Sequence, residues 1–182
     1  MTTAVRSPVT EYAHAVVGGA QIACKFVRQA CERHLRDLEM AHLRGLHFDE
    51  DEAQASIDFF GLLKHSKGEW AGQPLILEPW QEFIIGSVFG WQRADGSRRF
   101  RVAYVEVPRK NGKSLLSAGV GLKLAFFDSE GGAEVYAAAT KRDQAKIVFG
   151  DARAIVLAVP ALKRRITVPK TERAIGSMFD ES

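Results

Sequence analysis

The chain has 182 residues, 46% of them hydrophobic and 26% charged, with a net charge of +3. That suits one domain, or a small domain with part of another, and it is enough chain to bury a core without staples. No apolar run reaches the ~18–20 residues of a membrane span, no secretory leader is evident, and Cys24 and Cys31 make no disulfide framework, so a protein of a reducing cytoplasm is expected.

Residues 19–41 predict an amphipathic helix, because Ile22, Phe26, Val27, Ala30, Leu35 and Leu38 recur at three- and four-residue steps. Cys24 and Cys31 are seven apart and are expected on one face, with His34 close by. A metal site needs about four ligands, so core packing is the expectation for these three. A second helix is expected from Asp49, which can cap it, with Glu52 three residues on, Phe48 and Ala53 as a staple, and Ile57, Phe60 and Leu63 as the buried stripe. The polar, glycine-containing stretch "KHSKGEWAGQP" follows and sets an organisational boundary near residue 70.

Pro79 suits the first turn of a third helix, with Trp80, Phe83, Ile84, Val88 and Trp91 along one broad face. "ADGS" is a turn, and "RRFRVAYVEV" after it reads as a strand, alternating at Phe100, Val102 and Tyr104 and ending in Val105 and Val107. Lys113–Phe127 is expected to be a helix, with Leu115, Leu116, Val120 and Leu124 as core. "SEGGAEVYAAAT" reads as a turn feeding a short strand over 133–139, and 141–159 as a helix ended by Pro160. The order strand, loop, helix, strand, helix predicts an α/β unit with a mostly parallel sheet.

Basic residues gather in the second half, at Arg98–Arg101, within "PRKNGK", at Lys141 and Arg142, and at Lys163–Arg165. Each cluster alone is solvated surface, whereas several together favour a polyanionic partner.

The loop "VEVPRKNGKS" lies between an apolar strand and an apolar helix. In a phosphate loop, successive backbone N–H groups curl round the phosphates, and the helix behind adds its positive end. The lysine reaches the β- and γ-phosphates and the Ser/Thr hydroxyl joins the Mg²⁺ shell. Gly112, Lys113 and Ser114 stand in those positions, with Asn111 beside them, but Val107 occupies the place of the usual first glycine. Pro108 can set the turn instead. Arg109 and Lys110 either assist at the γ-phosphate or face solvent, and solvent is the better reading for Lys110. The competing reading of the triplet is a basic turn capped by Ser114.

At this point the chain resembles the large subunit of tailed-bacteriophage terminases, the motor that packs DNA into capsids. "VEVPRKNGKS" is similar to that family's variant Walker A loop, "LEPWQ" to its adenine-recognition segment, and "AATKRDQAKIVF" to the passage after the Walker A helix; "ACERHLRDL" and "GEWAGQP" are similar to its N-terminal helical part. The resemblance implies a P-loop NTPase fold with a mostly parallel, here incomplete, sheet over 71–182, preceded by a helical segment over 1–70. It implies ATP and Mg²⁺ as cofactors. Lys113 and Arg109 would act on the phosphates, and Gly112, Lys113, Ser114, Asn111, Gln81 and Trp80 would hold the nucleotide, with Ser114 on the metal. Gln81 carries donor and acceptor for an adenine edge and Trp80 a face for stacking, although helical spacing equally allows Trp80 in the core. The implied partners are double-stranded DNA, a terminase small subunit, a portal protein and further copies in a ring, within the host bacterial cytoplasm and away from membranes.

Family members continue with a Walker B strand and a nuclease domain, and neither is expected in this sequence. Asp180 and Glu181 follow only two apolar residues, Met178 and Phe179, too few for a buried central strand. The expectation is a truncated motor that binds nucleotide, with hydrolysis needing an acid from elsewhere. The alternatives are a non-catalytic remnant that binds DNA or a partner, and an unrelated P-loop ATPase sharing the loop only.

Overall fold

Ser7 and Pro8 open a first helix, α1 (Pro8–Val17), in which Val9, Ala13 and Val16 are fully buried. Proline costs nothing at that position, since its missing N–H would have had no helical partner. The computed structural model describes residues 7–65, 67–128, 133–168 and 176–177. The elements that follow are α2 (Lys25–Met40), a 3₁₀ turn (Ala41–Arg44), β1 (Leu46–Phe48), α3 (Glu50–Leu62), α4 (Pro79–Gly90) and β2 (Trp91–Arg93). After these come α5 (Lys113–Phe126), α6 (Arg142–Ala158), α7 (Pro160–Lys163), β3 (Ile166–Thr167) and β4 (Gly176–Ser177). Two compact units result, Met1–Asp58 with Leu77–Val105, and Phe59–Ile76 with Glu106–Ser182. Both are discontinuous in sequence, and residue 70 falls inside the first segment of the second unit.

In the first unit α1 packs on α2 and α4. Close approach depends on small residues: a Cβ on Gly86 would lie 2.2 Å from Val9 Cγ2, and one on Gly90 would lie 2.7 Å from the Phe48 ring and 2.9 Å from the Asp49 carbonyl. The cap expected at Asp49 is made, with its Oδ1 accepting from Glu52 N–H at 2.9 Å. β1 and β2 pair antiparallel, Phe48 opposite Trp91. The turn over "ADGS" closes with Gly96 at φ +78° and Ser97 N–H donating to Asp95 Oδ1 at 2.9 Å.

The stripe expected on α2 is not the one buried. Ile22 is 92% and Phe26 77% exposed, while Cys31, His34 and Asp37 face inward. The chain at Ile22 precedes the helix, so periodicity extended back to residue 19 misassigns it. Cys24 is the exposed N-cap and Cys31 is buried, so the two cysteines do not share an environment. What buries the polar face is a set of partners from elsewhere in the chain. Asp37 sits 2.7 Å from Arg99 Nη2 and also pairs with Arg44. Trp91 Nε1–H donates to His34 Nδ1 at 3.0 Å, which fixes that nitrogen as the acceptor and leaves the Nε2 proton for the Thr10 hydroxyl at 3.1 Å. The rings of Phe48, Phe83 and Trp91 stand edge-on to His34, and those of Phe48 and Trp91 are tilted against each other.

In the second unit α5 packs on α6. Gly119 lies against the buried Phe60 ring, where a Cβ would come within 2.3 Å of Cε1. Ile155 and Val156 of α6, Val159 at its C-cap and Leu162 of α7 are buried. Leu63 carbonyl accepts from Leu75 N–H at 2.9 Å, which pins the chain between them.

The mostly parallel sheet is not what the described residues show. Their strands form two antiparallel pairs, β1 with β2 and β3 with β4. Segments 102–107 and 133–139 are in neither, and Val102 and Tyr104 (85%) and Tyr136 (82%) are exposed. Alternating apolar residues select an extended backbone, but a sheet also needs a neighbour at the correct spacing, and that partner is not encoded locally. The turn expected at 129–132 lies outside the described residues, as do Met178, Phe179, Asp180 and Glu181.

Candidate nucleotide-binding site

The loop from Val107 to Gly112 makes a tight reversal into α5. Gly112 is the N-cap at φ +71°, a left-handed conformation that glycine adopts without a Cβ penalty, and its carbonyl accepts from Leu116 N–H at 2.9 Å. Lys110, two residues earlier, is left-handed as well, at φ +69°. It is the one described non-glycine residue with positive φ. The reversal that a first glycine would permit is thus carried by Lys110 and Gly112, after a Pro108 whose ring fixes its own φ.

Side chains complete the loop. Lys113 Nζ donates to the carbonyls of Val107 at 2.6 Å and Pro108 at 3.2 Å. Asn111 Nδ2 lies 3.3 Å from the carbonyls of Pro108 and Arg109. The ammonium is therefore held across the mouth of the loop by neutral acceptors that phosphate oxygens would outcompete, since charge-assisted hydrogen bonds are roughly twice as strong. Arg109 and Lys110 are exposed, and Ser114 is half-buried in the first turn of α5. Residues 109–115 and Asp151 of α6 line one cleft of about 330 Å³. Asp151 carries no motif, and its neighbours Ala152 and Ile155 belong to the packing face, so sequence reading did not single it out. Its Oδ1 accepts from Lys67 Nζ at 3.1 Å.

Of the expected site residues, Arg109, Asn111, Gly112, Lys113 and Ser114 are brought together. Trp80 and Gln81 belong to the other unit. Trp80 is half-buried at the start of α4, so it is not a core residue. Gln81 is buried, and its Oε1 accepts from Glu78 N–H at 2.9 Å as part of the helix cap. An adenine contact from Gln81 would fall to its Nε2 donor.

Of the basic clusters, Arg99 is consumed by Asp37 and by the faces of Trp91 (5.1 Å) and Phe100 (4.8 Å), whereas Lys163, Arg164 and Arg165 are exposed. Burial pushes the Cys31 thiol up to about 11, which keeps it a thiol at neutral pH.

A left-handed glycine, a lysine and a hydroxyl thus stand together at the head of α5, where the first turn of a helix leaves backbone N–H groups without helical partners. Residues 79–178, more than half of the chain, match the family model of the terminase large subunit ATPase domain. The chain belongs to that family. No curated protein and no solved structure matches it.

Proposed function

We propose that residues 107–114 bind the β- and γ-phosphates of ATP together with Mg²⁺, and that the chain is the ATP-binding portion of a motor that packages double-stranded DNA into a phage capsid. The observation that carries this is Lys113, whose ammonium lies across the loop on the Val107 and Pro108 carbonyls beside the left-handed Gly112. Backbone N–H groups of the loop hold the phosphates, Lys113 moves from its carbonyls onto them, and Arg109 offers a second guanidinium-to-phosphate contact. The oxygen donors in the cleft, the Ser114 hydroxyl and the Asp151 carboxylate, suit a hard cation such as Mg²⁺. Mg²⁺, when bound, neutralises charge on the phosphates during transfer.

The exposed Lys163–Arg165 run supplies sequence-independent, salt-sensitive contacts to DNA phosphates. A small subunit, a portal protein and a ring of copies complete the machine in the bacterial cytoplasm. Hydrolysis by the 182-residue chain alone is not part of the proposal, because it assigns no acid to the attacking water.

The test is binding of a fluorescent ATP analogue, with Mg²⁺, to the wild type and to Lys113→Ala. The wild type is expected to bind and the variant to lose binding. Unchanged affinity in Lys113→Ala would refute the loop assignment.

A further inference from the structure

The cleft at the head of α5 holds one group of the wrong sign for a polyanion. Arg109, Lys110 and Lys113 line it with positive charge, but Asp151 faces into it from α6 and is 15% exposed. A carboxylate there opposes a metal-free nucleotide and favours one that arrives with a divalent cation. Its tie to the protein is loose. The partner, Lys67, is 72% exposed, and its ammonium meets the single oxygen Oδ1 at 3.1 Å. Solvent-exposed pairs of that kind contribute about 0–1 kcal/mol. Lys67 therefore neutralises Asp151 without committing it, and a cation that also meets phosphate oxygens would displace the ammonium.

We propose that Asp151 makes this cleft selective for the metal–nucleotide complex over free nucleotide, and that Lys67 competes with the metal for the same carboxylate. The proposal rests on residues 107–114 binding nucleotide, as argued above. It adds a specificity-determining acid from outside the loop and a cation that tunes it.

Binding of a fluorescent ATP analogue is measured in Mg²⁺ and in EDTA, for the full chain and for Asp151→Asn, Lys67→Ala and Lys113→Ala, with circular dichroism to confirm folding. In Asp151→Asn, metal-free binding is expected to tighten about threefold and Mg²⁺-supported binding to weaken about threefold, so the ratio of the two dissociation constants falls about tenfold. In Lys67→Ala the ratio is expected to rise about threefold, because the carboxylate loses its neutralising partner. Opposite movement of the ratio in the two variants is a result that a merely structural ion pair would not produce. A ratio within about twofold of wild type in folded Asp151→Asn would overturn the proposal, as would equal loss of binding in both media. Lys113→Ala separates the two readings. If it abolishes binding while Asp151→Asn leaves the ratio unchanged, the site stands and the role of Asp151 falls; if it binds like wild type, both fall.

Discussion

Two aspartates in this chain are each held by basic side chains, and they have opposite characters. Asp37, in the first unit, is 3% exposed and meets two guanidiniums, one of them on Arg99, itself 13% exposed. Asp151, in the second, lines an open cleft and meets one ammonium that is mostly in water. Burial alone would raise the Asp37 carboxyl, yet the hydrogen bonds and charges of Arg99 and Arg44 hold it below the usual carboxylate range. The first pair cannot be released without leaving a charge in a low-dielectric interior, so it serves the fold. The second can exchange partners at little cost, which is what a ligand site requires.

Breaking each pair tests that contrast directly. Asp37→Ala strands Arg99 among Trp91 and Phe100, and the expected loss in urea unfolding is about 3–5 kcal/mol. Lys67→Ala, by the same measurement, is expected to cost about 0–1 kcal/mol. Similar losses in the two variants would erase the distinction. Arg99→Ala should cost more than Arg44→Ala, because Arg44 is 53% exposed and Arg99 is not.

A second, smaller effect sharpens the picture of the buried cluster. His34 is 3% exposed, and its pKa is lowered from 6.5 to about 4, chiefly by burial, with the Asp37 charge working the other way and His14, Arg33 and Arg99 adding to the lowering. The unfolded chain binds the proton more readily, so the contribution to stability is complete above 6.5 and is lost as pH falls from there towards 4. Unfolding free energy should fall by about 2 kcal/mol between about pH 7.5 and about pH 5, and that drop should disappear in His34→Gln. A wild type with no slope across this window would mean that the imidazole is not held neutral by Trp91 and Thr10.

Sequence reading found the parts of this molecule that are local. The Asp49 cap, the glycine turn after β2, the α5 and α6 spans and the lysine at the loop are each written in a few adjacent residues. It missed what depends on distant partners. α1 was legible in the Ser7–Pro8 start and in the spacing of Val9, Ala13 and Val16, but was not assigned. The buried face of α2 was not legible, since Cys31, His34 and Asp37 form a polar stripe whose burial depends on Thr10, Trp91 and Arg99. Asp151 was missed for the same reason: its importance lies in which cleft it faces, and the packing of α5 on α6 decides that. The parallel sheet is not seen among the described residues, and its strand partners, being non-local, could not be read from the two segments themselves.

The smallest expected effect concerns the loop that lacks its first glycine. Lys110 at φ +69° carries a Cβ in the left-handed region, a strain of about 1–2 kcal/mol per residue. Glycine there would remove that strain but would add about 0.5–1 kcal/mol of unfolded-chain entropy to be lost on folding. Lys110→Gly should therefore stabilise the chain by about 0.5–1 kcal/mol, the difference of those two terms. Lys110 is exposed and would act on the phosphates through its screened charge alone, so nucleotide affinity in the variant should stay within about twofold of wild type at moderate salt. A large loss of affinity without loss of stability would move Lys110 from the geometry of the loop into its binding set, alongside Lys113. Asp151 would then balance a ligand cation rather than a bystander. Unchanged affinity with slightly higher stability would leave Lys113 and Arg109 as the charges that meet the nucleotide, and would explain the backbone of the loop without its missing glycine.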